Sequence, residues 1–578
     1  MSLNAAIQIG RSALTASQVG IQVAGNNMAN AATPGYSRQV AMFRSFSGDG
    51  SSLGVSIGRG VYTQAVRRQI DEALQARMYL GVADESAARF RSSVYSTIES
   101  TIGELSDRDL SSELSSFFNA WSERANLTRS NAAVVQQGDK LAAAMRRQRG
   151  FLDQQREQID RQIGAAAVQA DGLLSTIAEL NRQIASAEVG EAQANTLRDT
   201  RDQAVAQLAE LMDVQVIDRG REGVDVLVGS TPLVYGSTSR GLDVRRETVD
   251  GSIRVVMSTK TPPEEITPAS GALGAMLAER TRGVDEAIQS LDRLTSQLIH
   301  RVNRLHSTGA NAAGLTESTA TLKVAQADRG RAFNDTLNQT MRGLPFEAEN
   351  GGFTVRVKDS SGGAARLVRV PVDLDGITNA GTPGTGDDTT PEQVRLAINA
   401  IDGLTATWTS DGRLSVRASP GFEFSFEDDS SGALAVLGVN AYFTGKDATD
   451  VGVRADLVED PGRLMTGRYT DGNFVENATA LRLAGLADEA LTSLGGRSLQ
   501  QFWQDRVQTI GVRASTANAE AQATATVRQS LESQRLALSG VSMDEESINL
   551  LAFQRQYQGA AKLISVADAL MDQLFRLV

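Results

Sequence analysis

The two ends of this chain carry matching apolar stripes, and neither stripe has a partner beside it in sequence. At the N-terminus Leu3, Ile7, Gly10, Leu14, Ser17, Ile21, Ala24 and Met28 alternate steps of four and three. At the C-terminus Leu550, Phe553, Tyr557, Ala560, Ile564, Ala567, Met571, Leu574 and Val578 alternate three and four. This is the spacing of a coiled-coil seam. Two seams separated by a whole chain satisfy each other only if the ends meet; otherwise they find partners on neighbouring molecules. Periodicity leaves both routes open, and both make the ends look built for assembly. The N-terminal stripe has small residues at Gly10, Ser17 and Ala24. Small seam residues allow close helix packing but supply little apolar area for holding an isolated pair together.

The interior alternates helical and extended patterns. Residues 2–30 read as one amphipathic helix, closed by Asn26, Asn27 and Asn30 and by Thr33-Pro34-Gly35. Proline pushes Thr33 out of the helical region, and Pro34-Gly35 suits the centre of a type II turn. Residues 36–66 look extended, with Val55-Ser56-Ile57 as one strand-like stretch. From 67 to 212 proline is nearly absent, and Phe117, Phe118, Trp121, Leu173, Leu174, Ile177, Leu180 and Ile184 recur at helical spacing. That pattern predicts several long helices in a bundle. Alternation returns in Val214-Gln-Val216 and Val224-Asp-Val226-Leu-Val228, a small β-insert. Residues 271–307 are helical again through Leu273, Met276, Leu277, Val284, Ile288, Leu291, Leu294, Leu298 and Val302.

Residues 331–465 hold most of the prolines and several short strands, such as Phe353-Thr-Val355, Leu414-Ser-Val416 and Phe422-Glu-Phe424. One helix, 391–401, has Thr390 as its cap, Pro391 at its first position and Glu392 in its first turn. Residues 477–538 read as helix. The last helix opens on Ser542-Met-Asp-Glu545, a capping box, with Asp544, Glu545 and Glu546 at the positive end of its dipole.

The expected fold class is therefore α+β multidomain. Long terminal helices form a coiled-coil stem, a helical-bundle domain carries a small β-insert, and a mainly β domain is inserted and projects. The expected division is 1–66 for the N-terminal axial segment, 67–330 for the bundle with its insert at about 214–260, and 331–465 for the β domain. Residues 466–540 return to the bundle, and 541–578 form the C-terminal axial helix.

Composition narrows the chemistry. Lys plus Arg number 57 against 69 Asp plus Glu, a net charge of −12. Such a chain is a poor general binder of nucleic acid or anionic membrane. Cysteine is absent, which removes disulfides, thiolate nucleophiles and Cys-based metal sites. The two histidines, His300 and His306, stand six apart rather than the four that would place both on one helix face. No run approaches the ~20 apolar residues of a membrane span, and the first residues lack the pattern of a secretory signal. A soluble protein is expected, exported, if at all, by another route.

No P-loop, G-x-S-x-G or H-E-x-x-H motif occurs. Asp373-Leu-Asp375-Gly376 opens like a calcium loop, but the later ligands and the closing Glu are missing, so a surface turn is expected. Glu427-Asp428-Asp429 reads as a solvated turn. No catalytic, cofactor or metal residue is nominated.

Several stretches carry a family resemblance. Leu14-Thr-Ala-Ser-Gln18 through Asn26-Asn-Met-Ala-Asn30-Ala-Ala-Thr33-Pro-Gly-Tyr36-Ser-Arg-Gln39 is similar to the N-terminus of the axial proteins of the bacterial flagellum. The Tyr-Ser-Arg-Gln ending resembles their hook-associated, junction-forming members. Ser539-Gly-Val-Ser-Met-Asp-Glu-Glu546, followed by Leu550, Leu551, Gln554, Tyr557, Ala560 and Ala561, resembles their closing helix. Leu197-Arg-Asp-Thr-Arg-Asp-Gln203, Val302-Asn303-Arg-Leu-His306-Ser-Thr-Gly309 and Leu437-Gly-Val-Asn-Ala-Tyr-Phe-Thr-Gly445 are further matches. Met28 and Met543 stand where Ile and Leu are common, and 331–465 matches less closely.

The resemblance implies a structural protein without catalysis, a homo-oligomeric ring joining hook to filament through its terminal helices. It implies hook protein, a second hook-associated junction protein and a cytosolic export chaperone as partners, and export through the flagellar type III apparatus. The implied N-terminal assembly residues are Leu3, Ile7, Leu14, Ile21, Met28, Asn26, Asn27, Asn30 and Tyr36. The implied C-terminal assembly and chaperone residues are Leu550, Phe553, Tyr557, Ile564, Met571 and Leu574. The alternatives are another axial protein of hook or rod type, or a secreted enzyme housed in 331–465.

Overall fold

The long proline-poor stretches fold as helices and the alternating stretches as small antiparallel sheets, as their periodicities require. The computed structural model describes residues 3–46, 58–102, 109–188, 193–249, 252–359, 364–470 and 472–577. The Val55-Ser56-Ile57 stretch and the last seam position, Val578, lie outside the described residues. The chain forms two compact units. One comprises Met1–Val94, Gln158–Arg280 and Ser515–Val578; the other comprises Tyr95–Glu157 and Thr281–Ala514.

In the first unit the helices Leu3–Ala29 and Met543–Leu577 pack on each other. The strands Gln39–Ser45 and Val61–Arg68 form an antiparallel hairpin with a register shift at Met42/Phe43. After the first helix the chain turns as Thr33-Pro34-Gly35 predicts. The Tyr36 amide donates to the Thr33 carbonyl at 3.2 Å and Gly35 takes φ +80°, the second central position of a type II turn. The β-insert is a four-stranded sheet over Val214–Asp218, Val224–Val228, Thr231–Tyr235 and Thr238–Ser239, followed by a three-stranded sheet ending at Glu265–Ile266. Asn181, fully buried on the helix Asn131–Ala187, ties the insert down. Its side chain accepts from the Val224 amide at 3.1 Å and donates to the carbonyls of Val224 and Gly236 at 2.8 and 2.6 Å.

In the second unit the core is aromatic. Phe117, Trp121, Tyr442 and Phe443 are fully buried and meet edge to face or tilted at 4.7–6.4 Å between ring centres. Two of the matched motifs meet here. Asn303 accepts from the amides of Tyr442 and Phe443, both at 2.9 Å, and donates to the Phe443 carbonyl at 2.9 Å. His306 faces the Asn440 carbonyl through Nδ1 at 2.8 Å and the Met465 amide through Nε2 at 3.2 Å. A carbonyl only accepts and an amide only donates, so this ring is the neutral Nδ1–H tautomer. Burial holds its pKa down at about 3, with Arg454 adding to the shift against smaller opposing effects of Asn440 and Asp456.

The β strands of this unit form two three-stranded sheets. Gly351–Asp359 sits between Arg366–Val372 and Phe422–Glu427, and Leu414–Ala418 sits between Glu317–Thr319 and Leu404–Trp408. The helix Pro391–Asn399 has the full capping box: Thr390 Oγ1 accepts from the Gln393 amide and Gln393 Oε1 from the Thr390 amide.

Two readings of the sequence need correcting. Helix is not continuous over 477–538; Ala478–Gly485 and Leu499–Ser539 are separated by a turn in which Gly495 and Gly496 both take positive φ. Of Glu427-Asp428-Asp429, expected as a solvated turn, only Asp428 is open to solvent. Glu427 is buried on Arg356 at 2.5 Å, and Asp428 pairs with Arg468 at 2.7 Å. Asp429 accepts from the amides of Gly432 and Leu434 and from the Ser431 hydroxyl, tying down the start of the helix Ala433–Leu437. Burial outweighs these bonds and raises the Asp429 pKa.

Candidate assembly surface

The N- and C-terminal helices approach closely because of glycine. A Cβ placed on Gly10 would lie 2.6 Å from Ile564 Cγ1, and one on Gly20 would lie 2.6 Å from the Phe553 ring. Both separations are below any ordinary van der Waals contact, so only glycine fits against these side chains. Gly10, Ser17 and Ala24 of the N-terminal stripe are buried, as are Ala560 and Ala567 of the C-terminal one. The Phe553 ring also meets Phe43 of the hairpin edge-on, with centroids 6.0 Å apart.

The larger stripe residues are less enclosed. Leu3, Ile7, Leu14, Ile21, Met28, Leu550, Phe553, Ile564 and Met571 are half-buried, while Tyr557 and Leu574 are exposed. The C-terminal helix has further exposed apolar residues beside the stripe. Leu563, Val566 and Leu570, together with Leu574 of the stripe itself, follow steps of three, four and four and are 42–55% exposed, and Ile548, Leu551 and Phe575 are exposed as well. A second set at helical spacing was present in the sequence, but only the packing of the first stripe reveals which set is left over.

The polar motifs at the two ends converge on one knot. Asn27, 1% exposed, accepts from the Gln39 amide at 3.0 Å and donates to the Gln39 carbonyl at 2.9 Å. It also donates to Glu546 Oε2 at 3.1 Å, a contact spanning 519 residues of sequence. The Tyr36 hydroxyl lies 2.8 Å from Asn27 Oδ1 and 3.0 Å from Asn26 Oδ1. Arg38 closes the knot on Glu546 Oε1, at 2.9 Å from Nε and 2.7 Å from Nη2, and on Glu545 Oε2 at 3.0 Å. Glu546 is 2% exposed. Glu545, expected to fold back on Ser542, instead serves Arg38; the Ser542 hydroxyl still accepts from the Glu545 amide at 3.4 Å. Asn30 and Asn26 are bonded to each other at 3.3 Å.

The Leu197–Gln203 motif backs this knot. Asp199 Oδ2 accepts from the Ser37 amide at 3.4 Å. Arg68 bridges Asp199 at 2.8 Å and Asp202 at 2.7 Å. Burial alone would lower the Arg68 pKa, but Asp202 and Asp199 more than compensate and raise it. Asp199 is itself shifted up by burial, in spite of Arg68. Burial, then Asp199 and Glu546, push the Tyr36 phenol up to about 12, so it stays protonated and can donate to an Asn carbonyl. Sequence reasoning singled out Asn26, Asn27, Asn30 and Tyr36, and placed Arg38, Asp199 and Glu546 inside motifs, but it paired none of them: not Asn27 and Arg38 with Glu546, nor Asp199 with Arg68. Nothing local to a charged residue says which distant group it will meet.

The family model described as the flagellar hook-associated protein FlgK helical domain matches residues 95–319. The model of the flagellar basal body rod FlgEFG protein C-terminal region matches residues 532–577. Flagellar hook-associated protein 1 of Escherichia coli (strain K12) is 26% identical over 582 residues, covering 98% of each chain. Its counterpart in Bacillus subtilis (strain 168) is 23% identical over 591 residues, covering 98% of this chain and 97% of that one. Among solved structures, the flagellar hook junction protein FlgK from Burkholderia pseudomallei matches with a TM-score of 0.49 and 16% identity, covering 80% of this chain and 100% of that chain.

Proposed function

We infer that this chain, a member of the flagellar hook-associated protein 1 family, is a structural subunit of the bacterial flagellum at the junction between hook and filament. The observation that carries the inference is the pair of terminal helices: locked to each other on one face, they leave Leu563, Val566, Leu570 and Leu574 of the C-terminal helix uncovered. An apolar helix face of this kind asks for a neighbour. A ring of identical subunits supplies one through head-to-tail contacts that close on themselves.

In this reading 1–66 and 541–578 are the axial segments, 67–330 with 466–540 the bundle, and 331–465 the projecting domain. The assembly residues are the N-terminal and C-terminal sets named above. The partners are further copies of this chain, hook protein, and a second hook-associated junction protein. Before export through the flagellar type III apparatus, a cytosolic chaperone covers the C-terminal helix. The role is mechanical, with no catalytic step assigned to any residue. One feature of the reading shifts: the terminal stripes are partnered within the subunit, so assembly adds contacts to an existing helix pair rather than creating the pair.

The test is a pair of exposed substitutions, Val566→Asp and Leu570→Asp, introduced together. They leave the subunit folded, because both side chains already face solvent, and abolish filament attachment to hooks. Normal filaments on cells carrying the double variant refute the assignment. The rod-type C-terminal match keeps a hook or rod position as the second reading; immunolabelling of isolated hook–basal bodies separates the two.

A further inference from the structure

The loop 373–390 joins the strand Arg366–Val372 to the helix Pro391–Asn399. Its two ends are held side by side. The Asp373 amide donates to Thr389 Oγ1 at 2.8 Å, and the Thr389 amide donates to the Asp373 carbonyl at 2.7 Å. This pairing gathers three carboxylates, Asp373, Asp375 and Asp388, each with an oxygen within 4.8 Å of the others. None of the three forms an ion pair with Lys or Arg among the described residues.

An acidic cluster alone says little, since many are simply solvated. Asp388 is different. It is 2% exposed, and among the described residues only one of its oxygens has a partner: Oδ2 accepts from Asn334 Nδ2 at 2.7 Å, whereas Oδ1 is buried with no donor. Asp387 Oδ1, next to it, is also buried without a donor. Buried carboxylate oxygens are almost always satisfied, because leaving one dry and unbonded forfeits its hydration for nothing. Asp373 and Asp375, gathered with Asp388, are acceptors as well and cannot donate to this oxygen. A cation held by all three would satisfy it.

We propose that Asp373, Asp375 and Asp388 form a binding site for a calcium ion. Two oxygens on one Ca²⁺, each at about 2.4 Å, are at most about 4.8 Å apart, and the oxygens of this cluster lie within that limit of one another. The donor set is all oxygen, without His or Cys, and selects a hard cation over a transition metal. The carboxylates sit on a long irregular loop, which adapts to the variable coordination of Ca²⁺ better than to the strict octahedron of Mg²⁺. Water completes the shell on the side of Asp373 and Asp375, which are exposed. The ion cross-links the start of the loop to its end. Asp373-Leu-Asp375-Gly376 thus supplies only half of a site and reads in sequence as a surface turn, because the third ligand follows no spacing known for calcium loops.

The test is calorimetric titration of the chelator-stripped full chain with CaCl₂ and, separately, MgCl₂. The expected result is a saturable Ca²⁺ site with a dissociation constant of about 10⁻⁴–10⁻³ M, the range of extracellular calcium modules, and weaker Mg²⁺ binding. Asp375→Asn and Asp388→Asn each weaken it at least ten-fold, and Ca²⁺ slows amide exchange in 373–390. Asp375 is exposed and its substitution leaves the core untouched, so that variant decides the matter if Asp388→Asn fails to fold. No saturable Ca²⁺ heat, equal affinity in Asp375→Asn, or tighter binding of Mg²⁺ than Ca²⁺ overturns the proposal.

Discussion

Removing the Glu546 carboxylate is the sharpest perturbation of the helix pair. Glu546 is 2% exposed and receives the Arg38 guanidinium at 2.7 and 2.9 Å and the Asn27 amide at 3.1 Å. Deleting one member of a buried ion pair costs about 3–5 kcal/mol, mostly because the other charge is stranded. Arg38 is not fully stranded: its side chain is 18% exposed and keeps Glu545 at 3.0 Å. Asn27 likewise keeps the Gln39 carbonyl. Glu546→Ala is therefore expected at the low end, about 3 kcal/mol. Glu546→Gln, which retains an acceptor but loses the charge, costs about 1–2 kcal/mol. At 1.4 kcal/mol per factor of ten, 3 kcal/mol is a loss of about a hundred-fold in amide protection. That loss falls on amides of Leu3–Ala29 and on the first turns of Met543–Leu577, while protection around Trp121 and Tyr442 stays constant. Arg38→Ala combined with Glu546→Ala should cost less than the sum of the two alone. Unchanged protection in the terminal helices, or an equal loss in the aromatic core, refutes the reasoning.

Two further outcomes follow from other parts of the molecule. Gly20→Val drives a branched side chain into the Phe553 ring, so the terminal helices separate and their exchange quickens by about 2 kcal/mol or more; Phe553→Ala in the same chain recovers part of the loss, and no recovery would show that the clash is not the cause. His306 makes the second unit sensitive to acid. Its native pKa is about 3 against 6.5 when unperturbed, so stability is full above pH 6.5 and is lost as pH falls towards 3, because only the unfolded chain takes up the proton. By pH 4.5 the loss from this residue is about 3 kcal/mol. All three tryptophans, Trp121, Trp408 and Trp503, lie in that unit, so their fluorescence during urea unfolding reports it selectively. His306→Gln should lessen the pH dependence, leaving the part due to His300, which burial holds at about 4, and an unaltered slope would refute the assignment.

The elements were legible where the pattern is local. Heptad spacing located both terminal helices, alternation located the strands of the β-insert, and Thr390-Pro391 located a helix start. What the sequence withheld was non-local. Nothing in Asn27, Arg38 or Glu546 announces a bond across five hundred residues, and Asp429 looks like any acidic turn until the amides of Gly432 and Leu434 are placed around it. The strand Glu317–Thr319, well ahead of the β segment, completes one of its sheets through Leu414–Ala418, a pairing that depends on loop closure rather than propensity. The turn at Gly495 and Gly496 was legible and missed. Adjacent glycines are a stronger break than the Ala- and Gln-rich stretches on either side suggest.

The terminal pair divides labour between two kinds of contact, and the division bears on assembly. The seam of Gly10, Ser17, Ala24, Ala560 and Ala567 is close but poor in apolar area, so it holds the helices weakly, although the fits of Ile564 against Gly10 and Phe553 against Gly20 already disfavour sliding. The Asn27–Tyr36–Arg38–Glu546 knot tolerates no sliding, because a shift of one residue would strand a buried charge and a buried amide. Polar contacts therefore fix the register and small residues fix the distance. With register set inside the subunit, Leu563, Val566, Leu570 and Leu574 are displayed as one ordered face. Fully burying a large apolar side chain gives about 1.5–3 kcal/mol. These four are already roughly half covered, so one neighbour gains about 3–6 kcal/mol before the cost of association. That is too little to hold two free subunits together. In the ring proposed above, a subunit would meet neighbours on both sides at once, and the second contact would be made at high effective concentration. The same face is thus silent in a lone subunit and adhesive at a growing end.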